Sequence, residues 1–374
     1  MIGADSLISV KRIVWNTPPF RVLFGRFPSG QASINKVISS EPGVAKVIKR
    51  FTGGKLRRKL PLTIEPSIHQ KFHDLLDFSY EPSFVLQIKK GRCLFKECFV
   101  VTPAGNLIDE INPLLGRRNS RAFYRLSVPH EKSVKGKVAV LPDTDNYYHW
   151  LFETLPRTML IQKSGIKPQL YVTGADRKFK KETLLQVGVP KKLIIASSDS
   201  LNLVAEELIA PSMPIHTGNP TSEVVDFLRI KLSSRPSKEK KIKYEKIYVM
   251  RGSVLQRRVS NESDVIKFLS NLGFTPVSLE GLSVTEQSEL FASAKVVVAF
   301  HGAALANLVF CNKGTKVIEF FHPDYVNVCY WALSNIVGID YCYFMADPER
   351  RIINTNDASV DIAKLESAFR LLGC

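Results

Sequence analysis

From Lys137 onward the chain alternates between short β-branched or aliphatic runs and longer stretches with apolar residues three or four apart. "KVAVLP", "QLYVTG" and "KKLIIAS" predict strands, and "KKETLLQVGV" predicts a helix. "DNYYHWLFETLPRTMLIQKSG" predicts another helix, in which Pro156 should end or kink the path. The alternation restarts after the Lys/Ser/Pro-rich stretch 231–243, the best linker candidate. There "KIYVM", "FTPVSLE", "KVVVAF", "TKVIEFF" and "DYCYFM" predict strands. Between them lie predicted helices: "NESDVIKFLSNLG", capped by Asn261 or Ser260, "SVTEQSELFASA", "AALANLVFC" and "VCYWALSNIVG". The last stretch, "VDIAKLESAFRLLG", places its apolar residues on one helical side. Strand–helix alternation of this kind implies βαβ units, so the fold class expected is α/β with two Rossmann-like domains facing a cleft.

Upstream, Phe84 to Glu110 has the texture of a β-meander, with charged and "PAGN" turns. Residues 1–65 are rich in Gly, Pro and Ser and suggest an extended arm. The expected domains are therefore a basic arm over 1–65 and an acceptor-side Rossmann-like domain over 66–235 that includes the meander. A nucleotide-binding Rossmann-like domain follows over 241–350. A C-terminal helix lies within 351–374, with a return to the first domain as one option.

Length and composition fit a protein of about two domains: 374 residues, 45% hydrophobic and 23% charged. No run of 18 apolar residues and no secretory n-region with an h-region stands out, so a cytoplasmic location is expected. The six cysteines form no CxxC pair, which argues for reduced thiols and against zinc. Net charge is +17, and residues 1–60 hold 12 Lys/Arg against only Asp5 and Glu41. Such a stretch suits an anionic partner, and peripheral contact with an anionic inner membrane face is the expectation for it. A solvated surface explains it equally well. No RNP-like aromatic motif or zinc finger accompanies the charge, so nucleic acid is not expected.

Four segments carry candidate chemistry. In "FHGAALANLVF" a strand passes through Gly302 into a predicted helix. Ala303 and Ala304 leave its first N–H groups accessible, which suits a diphosphate. His301 could donate to a phosphate oxygen, and Asn307 would share a helix face with Ala303. A satisfied core histidine is the alternative. In "MRGSVLQRRVSNE", Arg251 ends a strand and Arg257 and Arg258 follow; guanidinium groups grip phosphate in fork geometry. In "LPDTDNYYHWLFETLPR", His149 and Glu153 stand at i,i+4 and could form an oriented base. Asp143 and Asp145 invite Mg²⁺ or Mn²⁺, though Asp145 is equally a helix N-cap. Lastly, Glu319 ends a strand where a carboxylate could take ribose hydroxyls. Glu286 lies on a helix that could face the same cleft, or serves as the first-turn acid of a helix capped by Ser283.

Taken in order, "NYYHWLFETLPR", "RGSVLQRRVSNE", "TEQSELF", "HGAALANLVF" and "VIEFF" resemble the pattern of glycosyltransferase family 61 from about Phe84 to Met345. The resemblance implies a GT-B fold, a nucleotide-sugar donor (UDP-sugar foremost) and inverting transfer to a hydroxyl of a glycan or lipid-linked acceptor. It points to the capsular-polysaccharide type of bacterial enzyme. It implies that the "HGAALAN" motif, with His301, Gly302, Ala303, Ala304 and Asn307, holds the donor pyrophosphate together with Arg251 and Arg257; Glu286 and Glu319 are expected on the donor side from their positions. The base expected is His149, with Glu153 as its partner and Asp145 as its rival. No cofactor and no metal are expected, with Mg²⁺ or Mn²⁺ at Asp143/Asp145 as the alternative. A non-catalytic polyanion-binding protein would explain the charge but not the ordered motifs. A nucleotide-dependent oxidoreductase would share the outline, but no G-x-G-x-x-G follows a predicted strand.

Overall fold

The structure, a computed structural model, describes residues 25–112, 127–233, 244–252, 256–349 and 356–374. Residues 1–24 of the basic arm and most of the linker candidate lie outside the described residues. The chain forms two compact units. The first comprises the described parts of Met1–Gly53, Glu81–Asp145 and Phe152–Pro214; the second comprises those of Gly54–Tyr80, Asn146–Leu151 and Ile215–Cys374.

The first unit is built on a mixed sheet of ten strands among the described residues. Its parallel part runs β2 (Lys132–Val140), β3 (Leu170–Thr173), β4 (Ile194–Ala196) and β5 (Asn202–Pro211). β2 lies between β5 and β3, and β4 lies outside β3. The crossovers carry α1 (Arg157–Lys163) and α2 (Lys178–Gln186), as the βαβ pattern requires. β1 (Phe84–Lys89) and the strand Arg92–Leu94 both pair antiparallel with β5. The expected meander is therefore confined to the three strands between Arg92 and Ile108. The ten-residue β5 is long enough to accept two successive partners. Residues 25–65 are not an extended arm throughout: Gly30–Ala32 and Ala45–Arg50 join this sheet, and Ile34–Ser40 is a helix whose Ile34 and Val37 enter the core.

The second unit has a wholly parallel six-stranded sheet. Its strands are β6 (Lys246–Val249), β7 (Thr275–Val277), β8 (Val296–Phe300), β9 (Lys316–Phe321) and β10 (Asp340–Met345), with Leu62–Thr63 on the edge. The spatial order is β7-β6-β8-β9-β10, then the edge strand. That is the flavodoxin-like 2-1-3-4-5 order, whose direction of winding reverses between β6 and β8. β8 reads "VVVAF" with every residue buried, the signature of a strand covered on both faces. Helix α3 (Val284–Ser293) starts at a capping box: Ser283 accepts from the Glu286 N–H while Glu286 reaches back to the Ser283 N–H. The C-terminal helix Ile362–Leu372 stays with this unit, where Leu365, Ala368, Phe369 and Leu372 complete the core. A return to the first domain is thus not what the structure shows.

The "YYHWLFETLPR" stretch is not one α-helix. Tyr147–His149 is α-helical, Trp150–Thr154 is a π-helix, and Pro156 begins α1. The missing proline N–H makes that position natural for a helix start. In a π turn the backbone bond spans residues i and i+5, so Glu153 lies within the π turn while His149 ends the α-helical one. Glu153 is buried in the first unit, and its carbonyl accepts from Arg157 Nε at 3.1 Å. Arg157 is itself buried and also donates to the carbonyls of Pro211 and Ile111, which makes it a staple of that unit.

Candidate active site

Both strands that flank the switch point end in cationic or ionisable residues. β6 leads to Arg251 and β8 leads to His301, and the two strands pair in parallel register. His301 is 3% exposed. Its backbone N–H donates to Phe320 at 3.0 Å, and its ring packs on Phe321 and Tyr330, each with centroids 5.2 Å away. Nδ1 lies 2.5 Å from Glu319 Oε1. The other Glu319 oxygen accepts from Tyr341 OH. A carboxylate can only accept, so Nδ1 carries the hydrogen and Nε2 is the ring nitrogen left for a ligand.

Glu319 is fully buried, with both oxygens engaged inside the protein. The carboxylate expected to meet a ribose instead orients an imidazole. Tyr341 was missed because it contributes through strand register: Val317 pairs with Tyr341 and Glu319 with Tyr343, so all share one face of the sheet. Burial and the Glu319 carboxylate push the Tyr341 hydroxyl well above the usual tyrosine range, which keeps it a hydrogen-bond donor.

Gly302 adopts extended backbone, with φ 179°, which any residue can adopt. Its reason is space: a Cβ there would stand 1.8 Å from Arg251 Nη1. The guanidinium therefore lies directly over the glycine. Arg251 Nε donates to the Arg257 carbonyl at 2.9 Å and Nη2 to the Gln256 carbonyl at 3.2 Å. Burial, and then the neighbouring Arg257, lower its pKa to about 10. It keeps its charge at neutral pH.

The segment after Gly302 is a 3₁₀-helix, Ala303–Phe310, and not the expected α-helix. Its first bond runs from Leu305 N–H to Gly302 O at 3.0 Å, so the N–H groups of Ala303 and Ala304 precede the ladder. A 3₁₀-helix advances three residues per turn, which turns Asn307 away from Ala303. Asn307 is fully buried. It donates to Gln287 Oε1 at 2.8 Å and accepts from Tyr147 OH at 3.0 Å, so it anchors the Tyr147 helix and not a ligand. Glu286 is exposed and serves the capping box.

A small pocket of about 90 Å³ gathers what faces outward in this unit: His149, Arg257, His301, Ala303, Tyr325 and Tyr330 are among its walls. Arg257 takes a left-handed φ of 57° and sets its guanidinium 4.9 Å from the Tyr325 ring centroid. Arg258, its neighbour, is spent elsewhere. It forms an ion pair with the buried Asp357, with Nε at 3.0 Å and Nη2 at 2.9 Å. The doublet thus divides into one pocket-facing guanidinium and one fastening.

Asp143 and Asp145 lie in the first unit, in a cluster with Asp176 whose ligand-type atoms fall within 4.8 Å of one another. The centre of that cluster is the Lys180 ammonium, 2.7 Å from Asp143, 3.0 Å from Asp145 and 2.9 Å from Asp176. Lys96 adds a second cation, 2.9 Å from Asp145. Hydrogen bonding to Lys96 holds Asp145 below the usual carboxylate range, which makes it a weak base. Asp143 moves the other way, raised by burial against the pull of Lys180. Gly174 is fixed by this packing, because a Cβ there would meet Asp143 Oδ1 at 2.0 Å.

A parallel sheet in 2-1-3-4-5 order, with a guanidinium and an imidazole following the two strands at its switch point, defines an α/β protein. Residues 147–318 match the family model described as Glycosyltransferase 61. That segment is fewer than half of the 374 residues, and it supports a glycosyltransferase of that family. No curated protein matches the chain. Among the described residues, no helix is long and apolar enough to cross a membrane.

Proposed function

We propose that the chain transfers a sugar from a nucleotide-sugar donor, UDP-sugar foremost, to a hydroxyl of a glycan or lipid-linked acceptor in cell-surface polysaccharide synthesis, with inversion and on a GT-B scaffold. One observation carries this reading: Arg257, His301 and Ala303 line one pocket with His149, and the Arg251 guanidinium lies over Gly302 between His301 and Ala303. The GT-B class is supported by a parallel β-α-β array in each unit.

In the reaction, His149 takes the proton of the acceptor hydroxyl. The acceptor oxygen forms a bond to the anomeric carbon on the face opposite the leaving group. The bond from that carbon to the diphosphate oxygen breaks, and its electron pair leaves with the diphosphate. Arg251, Arg257 and His301 stabilise the charge that develops there, and these groups need no reorganisation at that moment. Glu319 and Tyr341 hold the His301 ring in place. Asp145, kept ionised by two lysines, is left out of the base role.

The test is donor turnover, by hydrolysis or transfer, after a thermal-shift screen of UDP-, GDP- and CMP-sugars has identified a donor. Arg251→Ala and His301→Ala should each cost on the order of 10²-fold in turnover while leaving the fold intact. Wild-type turnover in both variants would sink the assignment.

A further inference from the structure

The second unit carries another recess, of about 490 Å³, that no part of the reading above uses. Lys71, Asp74 and Leu75 form one wall, and the loop after β9, with Asp324, Tyr325 and Asn327, forms the other. All six lie outside the segment 147–318 that matches the family. Tyr325 and Asn327 also line the pocket that holds His301 and Arg257, so the two recesses share a wall.

The recess is built, not incidental. Lys71 Nζ donates to the Val326 carbonyl at 2.8 Å and ties one wall to the other. Behind Leu75 lies Arg58, 6% exposed, with its guanidinium 5.2 Å from the Phe78 ring centroid and 5.6 Å from that of Trp331. Its Nη1 donates to the Leu75 carbonyl at 2.8 Å. Its Nε and Nη2 have no partner among the described residues. Burying a cation in this way is costly, and here it holds the rim of the recess in place.

We propose that this recess receives a pyranose ring during the glycosyl transfer proposed above, on which the inference rests. The charges decide the ligand class. Asp74, one oxygen of which already accepts from Gln70 Nε2 at 2.9 Å, and Asp324 accept hydrogen bonds and repel phosphate, while Lys71 is engaged with Val326. The Asp324 side chain is 73% exposed and stands open to a hydroxyl. Tyr325, whose ring also carries the Arg257 guanidinium, is exposed and lines the recess, an aromatic surface of the kind that packs on the C–H face of a sugar. A diphosphate fits the adjoining Arg257 pocket, and a hydroxyl-rich ring fits here. The volume falls within the roughly 300–1,000 Å³ of small-molecule sites. The ring belongs either to the donor or to the acceptor, and the same chemistry serves both.

Saturation-transfer-difference NMR on the full chain separates these cases. The probes are UDP, UDP-glucose, UDP-galactose, UDP-N-acetylglucosamine and the methyl glycosides of the same sugars. In the Asp74→Asn/Asp324→Asn double variant, UDP should bind as in the wild type. A loss of about tenfold or more, the worth of a hydrogen bond to a charged group, should fall on a sugar probe. Loss of the UDP-sugar advantage over UDP places the donor sugar in the recess; loss of the methyl glycoside signal alone places the acceptor there. Leu75→Trp, which fills the recess, should reproduce the pattern. Unchanged sugar binding, equal weakening of UDP, or a wild type that binds none of the sugars overturns the proposal. A wild type that binds no UDP yet retains a glycoside signal sensitive to the double variant sinks the diphosphate reading and leaves the recess standing.

Discussion

Two charged clusters in this molecule use similar side chains to opposite ends. In the first unit, three carboxylates close around the Lys180 ammonium, which is completely buried. Every charge there faces an opposite charge inside the protein. In the second unit, no carboxylate among the described residues holds Arg251 or Arg257 in this way. Arg251 is fixed by backbone carbonyls, and Arg257 lies over an aromatic ring. Their positive charge remains available to a ligand. A charge matched internally is structural, whereas a charge positioned by neutral groups is poised for a partner. The acidic DxD pair draws the eye in the sequence, and in the fold its charges are matched by Lys180 and Lys96.

The largest effect that would sharpen this contrast is expected at Lys180. Replacement by Met leaves Asp143 buried without its partner, and removing one member of a buried pair costs about 3–5 kcal/mol. Urea unfolding should show that loss, and adding Asp143→Asn should recover part of it. The pH dependence carries the sign. Hydrogen bonds and charge from Lys180 outweigh burial to hold Asp176 at about 2, and Lys96 and then Lys180 hold Asp145 low. Depressed carboxylates contribute stability that is present above their unfolded values, about 4, and lost as pH falls through the folded ones. Lys180 is raised by its carboxylates against the opposing effect of burial, so its contribution persists to alkaline pH. The wild type should therefore lose stability between about pH 4 and pH 2, whereas Lys180→Met, with carboxylates that now repel, should gain from protonation there. Parallel pH curves for the two proteins would remove the cluster from the stability argument.

A smaller effect is expected behind His301. Glu319→Gln removes a charge-assisted bond worth about 1.5–3 kcal/mol, so turnover should fall roughly tenfold to a hundredfold with donor KM near the wild-type value. Tyr341→Phe leaves the carboxylate and should cost about tenfold or less. The decisive readout is the imidazole tautomer, followed by ¹⁵N NMR. It should stay Nδ1–H in Tyr341→Phe and become mixed in Glu319→Gln. An unchanged tautomer in Glu319→Gln would show that Glu319 does not orient the ring.

Much of this was legible in the chain because it depends on neighbours in sequence. The all-apolar "VVVAF" strand, the Ser283–Glu286 cap and the placement of Arg251 and His301 at strand ends follow from local pattern. What failed depended on contacts between distant residues or on helix pitch. Glu319 ends up behind the site because Tyr341, on the next strand, claims its second oxygen. Asn307 turns inward because the helix has three residues per turn. The Asp143/Asp145 pair gathers around Lys180, 35 residues beyond Asp145 in sequence, which no spacing rule anticipates. Arg58 lies in a stretch that reads as a loose lead-in, because its strands are short and its charges hide the few apolar residues that anchor it.

The smallest and most discriminating prediction concerns the adjacent arginines. Arg257 and Arg258 have the same side chain on consecutive residues, so bulk charge cannot distinguish them. Geometry does: one guanidinium lines the pocket, and the other pairs with the buried Asp357, whose carboxylate also accepts the Arg258 N–H at 2.9 Å. The Arg258 side chain is 46% exposed, so screening reduces the worth of its pair to about 1 kcal/mol or less. Arg258→Ala should lower the urea midpoint slightly and leave donor KM alone. Arg257→Ala should do the reverse, raising donor KM or lowering turnover with an unchanged midpoint, and the effect should weaken in high salt if it is electrostatic. If both variants behaved alike, the doublet would be a generic basic patch. The line between matched and available charge would then fail where it is drawn most finely.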